Sequence, residues 1–129
     1  MASTIVPARQ AERDVLDGIA ERFIARAAPV RFTRATTDTA WEAIYRLRYE
    51  AVVRHGWASP EAFPDGLERD AYDDVAVHVA GWDGERLAAT ARIVFPTPGL
   101  RLPTEEEFAL AIESTGQAAN VDRLTVAPP

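Results

Sequence analysis

Two apolar runs joined by a turn dipeptide constrain the fold of this chain more than any other feature of its sequence. They lie on either side of Asp83-Gly84, and each is long enough for a β-strand. An Asp-Gly pair between apolar runs is a strong hairpin signal, so we predict strands over residues 75–82 and 85–95. Both runs are mainly apolar on both faces. This pattern favours a central place in a sheet that is covered on both sides.

Charged residues stand at the entrance and in the interior of the predicted hairpin. Glu68, Asp70 and Asp73 precede the first strand, and Arg92 lies among apolar residues in the second. The sequence therefore predicts acids at the mouth of the hairpin and a cation inside it, which is the layout of a site. His78 is the titratable residue of the first strand, and a single strand histidine is most often structural.

The other elements follow from helical periodicity and from breaker residues. Residues 1–10 show no periodicity, which favours a loose tail. Residues 11–28 show helical spacing, and we expect this helix to pack across a sheet or a partner. We further predict a strand over residues 30–34, a helix from Thr37 or Asp38 to about Arg54, and a loop over 55–66 with Trp57 and Phe63 as anchors. A capping box at Thr104 predicts a helix that carries Phe108, Leu110 and Ile112 and ends at Gly116. The last predicted element is a strand over 120–126.

Composition excludes several classes of function. A chain of 129 residues allows one domain, and its formal net charge of −6 argues against a nucleic-acid partner. The chain has no cysteine and two histidines, so we expect no disulfide, no thiolate site and no metal site. No apolar run approaches the roughly 18 residues of a membrane span. The N-terminus alternates arginine with acids, unlike a signal or transit peptide, and we expect a cytoplasmic protein.

Three isolated arginines, Arg48, Arg92 and Arg123, each lie in an otherwise apolar element. Arg48 falls on the apolar stripe of its helix, where a buried cation needs a carboxylate partner. Its position alone favours a side chain that extends past the stripe to water. Three acids and three cations can also neutralise one another in one cluster. Such a cluster is either a structural network or a site for charged small molecules, and the residues alone slightly favour the structural network.

At these residues the sequence resembles the acyl-homoserine-lactone (autoinducer) synthases and the N-acyl amino acid synthases, which belong to the GNAT acyltransferase superfamily. The resemblance covers about residues 30–126 and consists of an ordered set of short motifs. These are Leu47-Arg48-Tyr49-Glu50, Gly56-Trp57, Glu68-x-Asp70-x-x-Asp73, Arg92 four residues before Pro96-Thr97, and Asn120-x-Asp122-Arg123. Asn120 and Asp122 depart from the family pattern, which has glutamate and serine there. Together with the N-terminal helix, these departures favour an N-acyl amino acid synthase or a related GNAT enzyme.

The resemblance implies an α/β (α+β) GNAT-like fold with a central mixed or antiparallel sheet flanked by helices. It implies a tail and helix over residues 1–29 and the N-terminal portion of an acyltransferase domain over 30–129, incomplete at the C-terminus because no pyrophosphate-binding turn occurs. Activity would then require sequence beyond Pro129. The last strand would present an unpaired edge to a second chain or a second copy.

The resemblance also implies roles for individual residues. An amine attacks an acyl thioester on coenzyme A or an acyl carrier protein, with Glu68 and Asp70 as bases and Asp73 holding Arg48 in place. The substrate-binding candidates are Arg48, Trp57, Arg92 and Arg123, no cofactor-binding residue is assigned, and backbone N–H groups of the last strand would polarise the thioester carbonyl. The alternative is a non-catalytic GNAT-like module that binds a partner chain or a ligand.

Overall fold

The computed structural model describes residues 5–111 and 118–129, with side chains from residue 10 onward. Four strands form one antiparallel sheet in the order β1-β2-β3-β4. This arrangement confirms the predicted α/β class with an antiparallel central sheet. The helices are α1 (Ile5–Arg26), α2 (Asp38–Arg54) and α3 (Pro103–Glu107), and the strands are β1 (Arg31–Arg34), β2 (Val77–Asp83), β3 (Arg86–Val94) and β4 (Asn120–Val126).

The predicted hairpin is confirmed as β2 and β3, which are the two central strands. Its turn lies one residue later than predicted, because Asp83 pairs with Arg86 and the loop is Gly84-Glu85. Gly84 adopts a φ of 60°. A two-residue hairpin loop of type II′ requires this conformation at its first position, where glycine carries no steric cost.

Helix α2 covers one face of the sheet and forms the core with it. Thr37 is its N-cap, since the Thr37 side chain accepts a hydrogen bond from the Ala40 N–H at 3.2 Å. Ile44 of α2 packs against Ala35 and Ala80, and larger side chains close around them. These larger side chains are Trp41, Tyr45, Trp82 and Leu87.

The second face of the sheet is more open than predicted. Side chains on β3 alternate between buried residues that face α2 and partly exposed ones such as Ala91 and Ile93 on the other face. Val121 of β4 and Phe32 of β1 are exposed. The prediction that both faces are covered is therefore wrong for the described residues, because apolar side chains on the second face of β1 and β4 remain exposed.

Helix α1 begins at Ile5 rather than at residue 11, so residues 5–10 are not a loose tail. Pro7 lies in the first turn of α1, where backbone N–H groups make no hydrogen bond within the helix. The N–H that proline lacks therefore costs the helix no hydrogen bond. The apolar stripe of α1, with Leu16 and Phe23, is exposed. The predicted packing of this helix across a sheet is therefore wrong for the described residues, and packing on a partner stays a prediction.

Two smaller predictions are also corrected. The predicted capping box at Thr104 is wrong, because α3 begins two residues earlier with Leu102 as N-cap and the Glu105 carboxylate accepting the Leu102 N–H at 3.1 Å. Phe108 and Leu110 lie beyond the end of α3 and are exposed, while Ile112 and Gly116 lie outside the described residues. Phe63 does anchor the loop, through an edge contact with Tyr49.

Candidate active site

Arg48 is buried in α2 and bound by two acids from the predicted motif. Its side chain is 1% exposed. The Nε group donates to Glu68 at 2.5 Å, and the two terminal nitrogens donate to Asp73 at 2.8 and 3.1 Å. The interpretation that Arg48 extends to water is therefore wrong. Although burial alone lowers the pKa of Arg48, the hydrogen bonds to Asp73 and Glu68 raise that pKa overall.

A single turn of 3-10 helix over Ala71–Asp74 holds the acids in place. The Asp70 carboxylate accepts the Tyr72 N–H at 2.9 Å, and the Asp73 carboxylate accepts the Asp70 N–H at 2.8 Å. This reciprocal capping explains why the acids stand three residues apart. Burial by itself raises the pKa of Asp73, but the hydrogen bonds from Arg48 outweigh it and the pKa of Asp73 is lowered. Asp73 is thus a permanent anion at neutral pH.

Arg92 of β3 binds three carboxylates and is as buried as Arg48. One terminal nitrogen, Nη1, donates to Asp70 at 2.6 Å and to Asp73 at 3.1 Å. Nε and Nη2 form a bidentate pair with Asp122 at 2.7 and 2.8 Å. Burial opposes the charge of Arg92, but the hydrogen bonds to Asp122 and Asp70 raise the pKa of Arg92 well above its ordinary value.

Sequence reasoning missed Asp122 as a member of the site. The residue was noted only as a departure from a family motif, although it is the Cα partner of Arg92 in the β3–β4 ladder. The signal that could have found it is a buried arginine and an aspartate on two strands that pair. The register between two strands that are distant along the chain cannot be read from either strand alone. The sequence therefore shows no sign that Arg92 and Asp122 pair.

Arg123 joins the site because β4 carries a bulge beside it. The register shifts between Thr90 and Arg92, and Arg123 adopts a φ of 52°, which costs a non-glycine residue conformational energy. Neighbouring side chains on a regular strand point to opposite faces. At this bulge Asp122 pairs with Arg92, and the next residue, Arg123, also reaches the site, 3.2 Å from Glu68 and 3.2 Å from Asp70.

The structure thus brings every predicted acid and all three predicted arginines into one ion-pair network, which we call the charge cluster. His78 borders it, with Nε2 3.3 Å from the Asp73 carbonyl oxygen and its ring edge-on to Tyr45. Burial lowers the pKa of His78, so the ring is neutral at neutral pH. Four carboxylates face three guanidiniums, which leaves a net charge of −1. The members of the charge cluster are Arg48, Glu68, Asp70, Asp73, Arg92, Asp122 and Arg123.

Two cavities adjoin the charge cluster, and Arg123 lines both of them. The aromatic cleft, of about 490 Å³, is lined by Trp57, Phe63, Val52, Leu124 and the inner wall formed by Arg48 and Glu68. Trp57 is not part of the charge cluster: it is 76% exposed and stacks on His55 with ring centres 4.7 Å apart. Its predicted role as a loop anchor is wrong, and its predicted substrate-binding role stays a prediction.

The acidic cleft, of about 640 Å³, lies on the other side of the charge cluster. Its walls include Asp70, Asp122, Tyr72, Glu106 and Phe108. The Tyr72 hydroxyl donates to the Glu106 carboxylate, and this hydrogen bond raises the pKa of Tyr72 to about 12. The phenol is therefore neutral at neutral pH, and the walls of this cleft carry more negative than positive charge.

Accessibility separates the members of the charge cluster into two groups. Glu68, Asp73, Arg48 and Arg92 are buried, so they hold the arrangement together. The Asp70 and Arg123 side chains are 34% and 39% exposed, so a ligand can reach them. Asp122 is 23% exposed and lines the same cleft as these two. Two anions and one cation are thus available to a small molecule at the same point.

The described residues contain no group of histidine, cysteine, aspartate and glutamate side chains suited to a metal ion. Within the same part of the chain, no helix is both long and apolar enough to cross a membrane. The outer edge of β4 faces no other described strand, so its outward N–H groups have no strand partner there.

Comparison with known proteins supplies the family. A family model for the acetyltransferase (GNAT) domain matches residues 47–129, which is more than half of the chain and includes the whole charge cluster. No curated protein and no solved structure matches the chain. The chain therefore belongs to the GNAT family of acetyltransferases, whose members transfer acyl groups and typically take them from acyl-CoA.

Proposed function

We propose that this protein is an N-acyltransferase that moves an acyl group from a thioester to the amine of an amino acid or a related small molecule. The observation that carries the proposal is the partly exposed Asp70 carboxylate beside Arg123, held at the wall of the acidic cleft by the buried Arg92. The family supplies acyl transfer in general. The nature of the amine and of the acyl carrier is part of the proposal.

Asp70 is the base in this proposal. An ammonium group must lose a proton before it can attack a thioester, and a carboxylate at the entry point accepts that proton directly or through one water molecule. Glu68 is the less accessible of the two predicted bases, since its side chain is 7% exposed and that of Asp70 is 34% exposed. Glu68 also pairs with Arg48 at 2.5 Å and with Arg123 at 3.2 Å. Glu68 therefore positions the two guanidiniums, and Asp70 takes the proton.

The arginines have different roles. Every nitrogen of Arg92 already donates to a carboxylate and the side chain is buried, so Arg92 does not bind the substrate. Arg48 is committed in the same way. The remaining guanidinium, that of Arg123, lines both clefts and pairs with a carboxylate or another anionic group of the substrate.

The acyl donor is a thioester of coenzyme A or of an acyl carrier protein. When the amine adds to the thioester carbonyl, the carbonyl oxygen becomes an oxyanion, and outward N–H groups of β4 stabilise it. The tetrahedral intermediate then expels the thiolate, which takes a proton as the amide forms. The motif resemblance to autoinducer and N-acyl amino acid synthases supports an acceptor with an amino-acid skeleton.

The proposal is tested with Asp70→Asn in the protein expressed from its complete reading frame. Release of free thiol from acyl-CoA is followed with a panel of amines. We expect turnover to fall by about 10²-fold or more, because a positioned base typically contributes this much. Asp74→Asn is the matched control, since Asp74 is an exposed acid in the same helical turn. Wild-type turnover by Asp70→Asn, or equal losses by both variants, would overturn the assignment.

A second candidate function is a non-catalytic module that binds a partner chain through β4. The specific observation is that Val121, Leu124 and Val126 of this edge strand are all exposed. A ligand that binds only the folded state must raise its apparent stability. The absence of any thermal shift with saturating acyl-CoA, together with concentration-dependent association, would favour this module over the enzyme.

A further inference from the structure

We propose that Asp122 is a positioning residue that keeps Asp70 available as a base by binding two of the three nitrogens of the Arg92 guanidinium. This inference rests on the proposed function, because it concerns the same base. Asp122 does not need to touch the substrate in order to act. Its effect on the reaction passes through Arg92 to Asp70.

The first argument is the division of the hydrogen bonds of Arg92. Nε and Nη2 both donate to Asp122, at 2.7 and 2.8 Å, which is the strong bidentate arrangement of a guanidinium and a carboxylate. Asp70 receives only Nη1, which it shares with Asp73. From Arg92, Asp70 thus receives one shared nitrogen and no bidentate pair. Its other contacts are the Tyr72 N–H at 2.9 Å and the Arg123 guanidinium at 3.2 Å.

The second argument is the charge at the acidic cleft. Asp122 and Asp70 are both partly exposed and both line this cleft. Two like charges on one wall make the electrostatic potential of the cleft more negative than one charge does, which attracts a proton or an ammonium group towards it. Without Asp122 the charge cluster would hold three acids and three arginines. The surplus negative charge that assists proton uptake would then be absent.

The third argument is that the backbone fixes Asp122 in this place. Asp122 and Arg92 are Cα partners in the antiparallel β3–β4 ladder, so their side chains leave neighbouring strands side by side. The bulge at Arg123 then lets the next residue also reach Asp70. The orientation of Arg92 is therefore set before any substrate enters.

The test is the dependence of turnover on pH in Asp122→Asn. Loss of the Asp122 charge leaves Arg92 and Arg123 to act more strongly on Asp70, which makes its carboxylate a weaker base. We expect the acidic limb of the pH–rate profile to move down by about one pH unit and turnover above it to fall several-fold. The groups that face Asp70 are Arg92 from β3, Asp122 and Arg123 from β4, Tyr72 and Asp73 from its own turn, and Glu106 across the acidic cleft.

Two further variants decide between this role and a structural one. Asp122→Ser also removes the charge, and we expect the same displacement of the acidic limb, so the test does not depend on one variant folding. Asp74→Asn is the control, and its acidic limb should not move. An acidic limb that stays in place in both Asp122 variants would overturn the inference, even if turnover falls. If Asp70→Asn keeps wild-type turnover, the proposed base itself is wrong, which is a separate result.

Discussion

Removal of the Arg48 guanidinium is the sharpest test of the charge cluster as a folding element. In Arg48→Met the side-chain stem is retained while three hydrogen bonds to Glu68 and Asp73 are lost. Both carboxylates then remain buried with part of their partners missing. We expect this change to destabilise the fold far more than the loss of an exposed arginine.

The size of the expected stability loss follows from the arginine partners that Asp73 and Glu68 keep in the variant. Breaking a buried ion pair by removing one partner typically costs about 3–5 kcal/mol. Asp73 retains Arg92 at 3.1 Å, and Glu68 retains Arg123 at 3.2 Å, so the lower end applies. We therefore expect the free energy of unfolding to fall by about 3 kcal/mol. At roughly 4 °C per kcal/mol for a domain of this size, the melting temperature should fall by about 12 °C.

The assay is urea unfolding followed by tryptophan fluorescence, because Trp41 and Trp82 pack against the core. Arg46→Met is a matched control on the same helix. Arg46 is 51% exposed and pairs with Glu42 four residues earlier, an interaction worth about 0.3–0.5 kcal/mol. A loss below about 1 kcal/mol in Arg48→Met, or equal losses in both variants, would refute the view that buried pairing holds the site together.

Three more predictions concern pH and the aromatic cleft. Burial lowers the pKa of His78 below its ordinary value of 6.5, so below that pH the unfolded chain binds a proton that the native state does not. The free energy of unfolding should therefore decrease as the pH falls below 6.5, and His78→Gln should show a flatter dependence in urea titrations between pH 5 and 7. The pKa of Asp73 is lowered from 3.8, so its contribution to stability is complete above that pH and is lost as the pH falls through the native value. Between pH 5 and pH 2, the free energy of unfolding should therefore decrease less in Asp73→Asn than in the wild type. Trp57→Ala should change stability by under about 0.5 kcal/mol because the ring is exposed, and should raise KM with kcat unchanged if Trp57 binds substrate.

The local part of the candidate site was predictable from sequence. Glu68, Asp70 and Asp73 share one short segment, and their spacing fits a single capped turn that leads into β2. The hairpin was predictable for the same reason, since its strands are joined by two residues. The turn was predicted one residue too early, because the glycine of an Asp-Gly pair can stand at the first or at the second position of a two-residue loop.

Long-range partners account for most of what could not be predicted. Arg48 alone favoured exposure, and it is buried only because Glu68 and Asp73 lie against α2 in the folded chain. The exposed stripe of α1 shows the opposite error, since helical periodicity identifies an apolar face without telling what covers it.

The sequence by itself determined the hairpin, the capped acid turn and the presence of isolated arginines in apolar elements, because each of these depends on interactions between residues close along the chain. Only the tertiary structure decided that Asp122 clamps Arg92 and that Arg123 turns towards Asp70, because these contacts depend on the β3–β4 register and on the bulge within it. The physical reason is that a buried charge is stable only beside an opposite charge. Only the assembled sheet and helix determine which carboxylate lies close enough to each arginine.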